Sequence, residues 1–154
     1  MHVPACAQTS TFGDLQVAYI FNFAKYVKWP KEGSVIVIGI YGEVKNIGYW
    51  TSLLSEKKVR NKPIQLKQIE TLENLDDINI IYVPESGSAD FKLLAAATAG
   101  KSILLVTEED LIKRGAAISF VVEDERLKFK LKQSALTDIG LTPMEGLLKL
   151  AILK

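Results

Sequence analysis

Residues 14–30 read DLQVAYIFNFAKYVKWP, and the apolar positions are too dense and too irregular for a strand. Leu15, Val17, Tyr19, Ile20, Phe23, Ala24, Tyr26 and Val27 cover most of a helical wheel, while Asp14, Asn22, Lys25 and Lys28 share the remaining face. A helix that apolar is either buried by several neighbours or embedded in lipid. At roughly fifteen residues, with Lys25 inside it, the stretch falls short of the ~20 apolar residues that span a bilayer. It predicts a core helix, ended by Pro30, which pushes Trp29 out of the α region. Phe21 breaks the pattern, because it falls between Asp14, Lys25 and Lys28 on the polar side. Either a neighbouring loop covers it, or it faces a partner, with Phe21, Lys25, Lys28 and Trp29 as the contact surface.

Downstream, strand patterns alternate with helix patterns. Residues 35–41 (VIVIGIY) form an almost unbroken β-branched run, as in a strand covered on both faces of a parallel sheet. Gly42 breaks it, and residues 44–57 read as a helix with Ile47, Trp50, Leu53 and Leu54 on one side. Residues 63–69 set Ile64 and Leu66 against Gln65 and Lys67, which predicts a half-exposed strand at a sheet edge. Residues 78–83 (INIIYV) give a second buried strand closed by Pro84. A loop over residues 85–88 and a short helix over residues 89–98 follow, with Gly100 as its stop. Residues 102–106 (SILLV) give a third buried strand. Thr107, with Asp110 three positions on, resembles a capping box and predicts a helix from there to about Arg114.

After Gly115 the grammar changes. Residues 117–122 (AISFVV) and 127–132 (LKFKLK) are strands, and a connection as short as Glu123-Asp124-Glu125-Arg126 makes them an antiparallel hairpin. Phe120 is then expected near Phe129, and Val122 opposite Leu127. Residues 133–139 predict a short helix stopped by Gly140. The end of the chain carries the fullest helix start: Thr142 as N-cap, Pro143 at N1 and Glu145 at N3. Leu147, Leu148, Leu150, Ala151 and Leu153 follow as its expected buried stripe. The fold class is α/β, with a mostly parallel sheet, helices on both faces and a C-terminal antiparallel hairpin that makes the sheet mixed.

The chain has 154 residues, which suits one domain, placed here over residues 14–154. A net charge of +1 leaves no electrostatic footprint for nucleic acid or an anionic membrane. One Cys and one His exclude a multi-ligand Cys/His metal site and an internal disulfide. Both, Cys6 and His2, lie in residues 1–13, which read equally as a disordered tail or as the end of an export signal. Ala5-Cys6-Ala7 matches the small-x-small end of a cleavage site, but the apolar run before it is too short for a full signal.

No catalytic constellation stands out. Ser86 has no histidine to activate it and is not in a G-x-S-x-G elbow. Gly39-Ile40-Tyr41-Gly42 follows a strand, but its spacing is wrong for a phosphate loop. Asp76-Asp77 and Glu123-Asp124-Glu125 occupy turns, where solvation accounts for them. Lys128, Lys130 and Lys132 form a stripe without aromatic stacking partners, as on a solvated strand face. The residues thus predict no enzyme, no cofactor and no metal, but a domain that binds something.

Two blocks, YIFNFAKYVKWP and ILLVTEEDLIKRGAAISFVVEDERLKFKLKQSALTDIGLTPMEGLLKLA, resemble the YfiR family of small exported bacterial regulators. Between them VIVIGIYGEV, KPIQLKQI and INIIYVPES resemble the family's strands, so the likeness runs from residue 14 to residue 153. None of these motifs is catalytic. The resemblance implies a periplasmic protein that self-associates, as a homodimer, and does not itself span the membrane. It also implies inhibition of a membrane-bound signalling protein, a diguanylate cyclase or a sensor kinase, by contact with its periplasmic sensor domain. The cysteine pairs of well-known members are missing, so redox control is not carried over. The alternative, from another class, is a periplasmic small-molecule binding module, with a metabolite in a crevice at the C-terminal ends of the parallel strands.

Overall fold

The computed structural model describes residues 4–154, with side chains described from Phe12 onward. Its first element, α1 (Pro4–Tyr26), begins ahead of Asp14 and ends before Pro30 is reached. Residues 4–13, read above as a tail or signal remnant, continue the backbone of this helix. His2 and the side chain of Cys6 lie outside what is described. The early C-terminal end has a physical cause. The next two residues, β1 (Val27–Lys28), pair antiparallel with Thr142 and Pro143, and this extended pairing replaces another helical turn. The freed carbonyls are satisfied from elsewhere in the chain. Arg60 donates to the carbonyls of Lys25 (2.9 Å) and Ala24 (3.3 Å), and the Met144 N–H donates to that of Tyr26 (2.7 Å).

The chain continues through β2 (Ile36–Ile40), α2 (Ile47–Ser55), β3 (Lys58–Val59), β4 (Lys62–Gln68) and β5 (Ile80–Val83). A 3₁₀ turn (Glu85–Asp90) leads into α3 (Phe91–Thr98), then β6 (Leu104–Thr107), a second 3₁₀ turn (Ile112–Arg114), β7 (Ile118–Glu123) and β8 (Arg126–Leu131). Last come α4 (Gln133–Thr137), β9 (Thr142–Pro143), α5 (Glu145–Leu148) and β10 (Ile152–Leu153). The main sheet has the order β10-β8-β7-β6-β5-β2-β4-β3. Strands β4, β2, β5, β6 and β7 run parallel, β8 is antiparallel to β7, and β10 lies parallel to β8. This is the α/β mixed sheet that the sequence pattern implies. Helices cover both faces: α1 and α2 pack with Ile36, Ile38, Ile80 and Tyr82, and α3 packs with Val37, Ile81 and Val83.

The hairpin forms in the expected register, with Phe120 opposite Phe129 and Val122 opposite Leu127. Its loop is shorter than four residues: Glu123 pairs with Arg126, and Asp124 and Glu125 turn with positive φ (52° and 63°). A second two-residue hairpin, Arg60 and Asn61 between β3 and β4, also takes positive φ. No glycine announces it, and it falls between the helix expected over residues 44–57 and the strand expected over residues 63–69. The resulting β3 covers only the start of β4, so most of β4 keeps the edge position expected of it.

Two helix starts do not act as such. Thr107 remains in β6, where its hydroxyl is buried 2.6 Å from Ser119 Oγ and donates to the Glu109 carbonyl. Strand pairing of β6 with β7 thereby takes the cap residue, and only the short 3₁₀ turn follows. Thr142-Pro143 likewise forms β9 against β1, so the helix begins only after Met144 and lasts four residues. Ile152 and Leu153 then leave it to pair with Lys130 and Leu131. Of the predicted stripe, Leu147 is buried, Leu148 and Ala151 are half-buried, and Leu150 and Leu153 are exposed. Leu147→Ala is therefore expected to cost ~2–5 kcal/mol, while Leu150→Ala stays within ~0.5 kcal/mol. Denaturant midpoints of the two variants measure both; equal losses would show that α5 extends as a full helix.

A candidate binding crevice and a basic face

The connections of the sheet decide where a site forms. From β2 the chain crosses through α2 to β4 on one side, and from β5 it crosses through α3 to β6 on the other. Where neighbouring parallel strands send their connections in opposite directions, a crevice opens beyond their C-terminal ends. It is present here, with a volume of about 1130 Å³, between the loops after β2, β5 and β6 and the flank of α1. Trp50, Tyr82 and Phe120 line its depth and pack on one another, with ring centroids 5.4 Å apart for Trp50 and Tyr82 and 6.1 Å for Tyr82 and Phe120. Tyr49 and Val122, both more than half exposed, stand at its lips.

The polar lining is acidic. Asp14 on α1, Glu43 after β2, Glu85 after β5, and Glu108 and Asp110 after β6 all border the crevice, against Lys45 as the cation among the lining residues. Lys130 pairs with Asp110 and, ahead of opposing burial, holds its carboxyl below the ordinary range. Tyr49 faces Asp14, whose carboxylate accepts from the hydroxyl and raises its pKa. Burial, reinforced by the charge of Glu108, pushes the Tyr82 hydroxyl far up, so it stays protonated.

The rim is fixed by hydrogen bonds that tie one loop to the next through side chains. Ser86 Oγ accepts from the Glu43 N–H (2.7 Å), Tyr41 donates to Asp90 (2.7 Å), and the Glu85 N–H donates to Glu108 (2.6 Å). Gly87 lies so close to the Tyr41 carbonyl oxygen that a Cβ there would overlap it. Gly42, at φ +131°, sits against Pro84 and Ser86. Glycines 39 and 42 thus serve close packing; among so many carboxylates they offer no cradle for phosphate. Ser86 is a rim hydroxyl, and Asp76 pairs with Lys101 at the surface. Lys128 and Lys130 of the basic stripe pair with Glu123 and Asp110.

The surface read from the sequence lies around the C-terminal end of α1, whereas the crevice borders the middle of that helix. Lys25 and Lys28 are exposed there. Phe21 is half-buried, packs against the core, and lies under the Lys57 ammonium, 5.0 Å from the ring centroid. Trp29 does not join this surface: it is buried in the core, and its Nε1 has no hydrogen-bond partner. The helix ends at Tyr26, so the chain carries Trp29 inward along the extended segment. Arg60, Lys62 and Glu32 complete a charged cluster beside Lys25, with Glu32 bonded to both cations. The crevice carboxylates were not singled out from the sequence. A signal was there, because Glu43, Glu85 and Glu108 each stand within three residues after a buried parallel strand.

Among comparisons with known proteins, the family described as YfiR/HmsC-like matches residues 13–152. No curated protein matches the chain.

Two outcomes follow from this geometry. Gly87→Ala is expected to cost ~1–3 kcal/mol through forced displacement of the rim; thermal melting checks it, and an unchanged midpoint would mean the rim is pliable. Burial alone would raise the Glu32 carboxyl, but hydrogen bonds from Arg60 and Lys62 outweigh it and hold it below the ordinary range. A carboxyl depressed in the fold stabilises it above the unfolded pKa of about 4, and that stabilisation is lost as pH falls through the folded value. Glu32→Gln should lower stability at neutral pH and flatten the acid limb, as read from denaturant midpoints between neutral and acid pH.

Proposed function

Because the chain belongs to the YfiR/HmsC-like family and is a regulator of the YfiR type, we propose that it inhibits a membrane-bound signalling protein by direct contact in the periplasm. The target in this reading is a diguanylate cyclase or a sensor kinase, met at its periplasmic sensor domain. The observation that carries the reading is the extent of the family match, which takes in every layer of the fold from α1 to β10. The chain works by contact rather than by chemistry and pairs as a homodimer. No described helix is long and apolar enough to cross a membrane, which is consistent with a partner that supplies the membrane anchor.

The basic end of α1 is the face assigned to the contact. Lys25 and Lys28 are exposed there, with Lys25 over the Tyr26 ring and Lys57 over the half-buried Phe21, and charged rims of this kind steer encounter and fix register. Phe21→Ser is a poor probe, since the ring also packs on the core. The charge reversal Lys25→Glu/Lys28→Glu touches exposed side chains and leaves the fold alone. In cells, the chain is expected to lower cyclic di-GMP or sensor-kinase phosphorylation and to capture a transmembrane signalling protein from detergent extracts. The double variant should weaken that capture about tenfold at unchanged thermal midpoint. If the intact chain changes neither output, the regulatory reading fails; if only the variant is without effect, the contact lies on another face.

A further inference from the structure

The main sheet is open along one side. Strand β3 pairs only with Lys62 and Pro63, and β4 ends at Gln68, so the outer edge of β4 is free over residues 64–68. On the inner side, the Ile69 N–H donates to the Ile40 carbonyl. Backbone groups alternate in direction along a strand as side chains do, so Ile64, Leu66 and Gln68 turn theirs outward. They have no strand partner on that side among the described residues. Such a row is a template for another strand, and proteins guard it with charge, proline or a cover. Here Pro63 lies under β3, outside the free stretch, and Lys67 is the one charge within it.

The helix that packs on β4 leaves the edge equally unguarded, because α2 carries no charged residue. Tyr49 faces Asp14, and Lys57 lies over Phe21, so that flank looks towards α1. Trp50 and Leu54 point into the core. Helical spacing stacks Ile47, Thr51 and Ser55 on the remaining flank, beside the free strand. Ile47 is 38% exposed, and the Thr51 and Ser55 hydroxyls donate to carbonyls of their own helix (2.9 and 3.0 Å). Charge stands at the two ends of the stretch instead. Lys58, opposite Pro63, flanks one end, and Glu70, just past Gln68, flanks the other. Both are exposed, and neither is in an ion pair among the described residues. A copy turned about a two-fold axis brings its Glu70 to Lys58 and its Lys58 to Glu70. The other edge of the sheet offers no such match: β8 outside its pairing with β10 carries Arg126 and Lys128, which would oppose like charges.

We propose that β4 pairs antiparallel with β4 of a second copy, about a two-fold axis at Leu66. The proposal rests on the homodimer reading above and gives it a surface. Leu66 meets its own counterpart, and Ile64 meets Gln68, in pairs that each exchange both backbone hydrogen bonds. The axis lies at the middle of the free stretch, so the pairing uses all of it and stops at β3. Gln65 lies opposite Lys67 of the second copy, which keeps the lysines apart. The exposed part of the half-buried Leu66 is covered by its counterpart, and the two uncharged α2 flanks come side by side.

The test uses the full chain in a Cys6→Ser background, with Gln65→Cys and Lys67→Cys made as separate variants at exposed positions. Opposed residues that are not hydrogen-bonded have Cα atoms ~4.5 Å apart, within disulfide reach. Mixed and mildly oxidised, the two variants are expected to form a covalent dimer that neither forms alone. Gln65→Lys sets lysines opposite each other twice and should weaken the dimer about fivefold by sedimentation equilibrium. Gln65→Lys/Lys67→Glu should restore it, with circular dichroism unchanged throughout. A chain that stays monomeric at every concentration would overturn the proposal and the homodimer reading together, leaving the inhibitory contact to its own test. A dimer that gives no mixed disulfide, or is indifferent to Gln65→Lys, would overturn the edge pairing alone. Equal cross-linking within the single variants would overturn it too, as random collision.

Discussion

The rest of the structure depends on the packing of α1 across the sheet. Ile20, Phe23, Ala24 and Val27 are fully buried, and Phe23 meets Phe129 edge-on at 4.9 Å while Tyr19 stacks beside it. Without this helix the inner face of β2, β5 and β7 would be exposed to water as a continuous apolar surface. Burial at roughly 25 cal/mol per Å² is non-directional and does not by itself fix where the helix stops. That is done by hydrogen bonds from distant segments. Arg60 reaches the last turn from the β3–β4 hairpin, Met144 bonds the Tyr26 carbonyl, and β9 pairs with β1. Tyr19 adds a bond to the Leu127 carbonyl of the hairpin. Segments from the first third, the middle and the end of the chain therefore converge on one helix.

That arrangement also polarises the molecule. The C-terminal ends of the parallel strands carry an acidic crevice beside the middle of α1, whereas the C-terminal end of α1 carries exposed lysines. A net charge of +1 conceals this separation, because composition averages over both ends.

What could be read from residues alone was read where a local pattern and the tertiary environment ask for the same thing. Unbroken β-branched runs specify β2, β5 and β6, since only a strand covered on both faces uses such a pattern. The hairpin was legible to its register, because Leu127, Phe129 and Leu131 alternate with lysines and a slip of one residue would turn every side chain over. The order of strands and helices was enough for the fold class. The family, too, was carried by pattern, and the match over residues 13–152 agrees with it.

The signals that misled were the weak ones. An N-cap is worth ~0.5–2 kcal/mol, and at Thr107 and Thr142 that preference competes with strand pairing and side-chain burial made by residues far away in sequence. Trp29 is expected on the contact surface with Phe21, Lys25 and Lys28, but the extended segment after Tyr26 turns it into the core. Leu150 and Leu153 carried a helical period yet sit exposed, because the last residues join β8 instead. The crevice was beyond any local reading: Asp14, Glu43, Glu85 and Glu108 are scattered over the chain and become neighbours only when β2 and β5 send their connections to opposite sides. The sequence by itself determined which segments are strands and which faces are apolar, since that depends on the period of each segment. Where helices stop, which side chains meet and where a ligand could lodge were decided by tertiary structure, because each is a competition between partners distant in the chain.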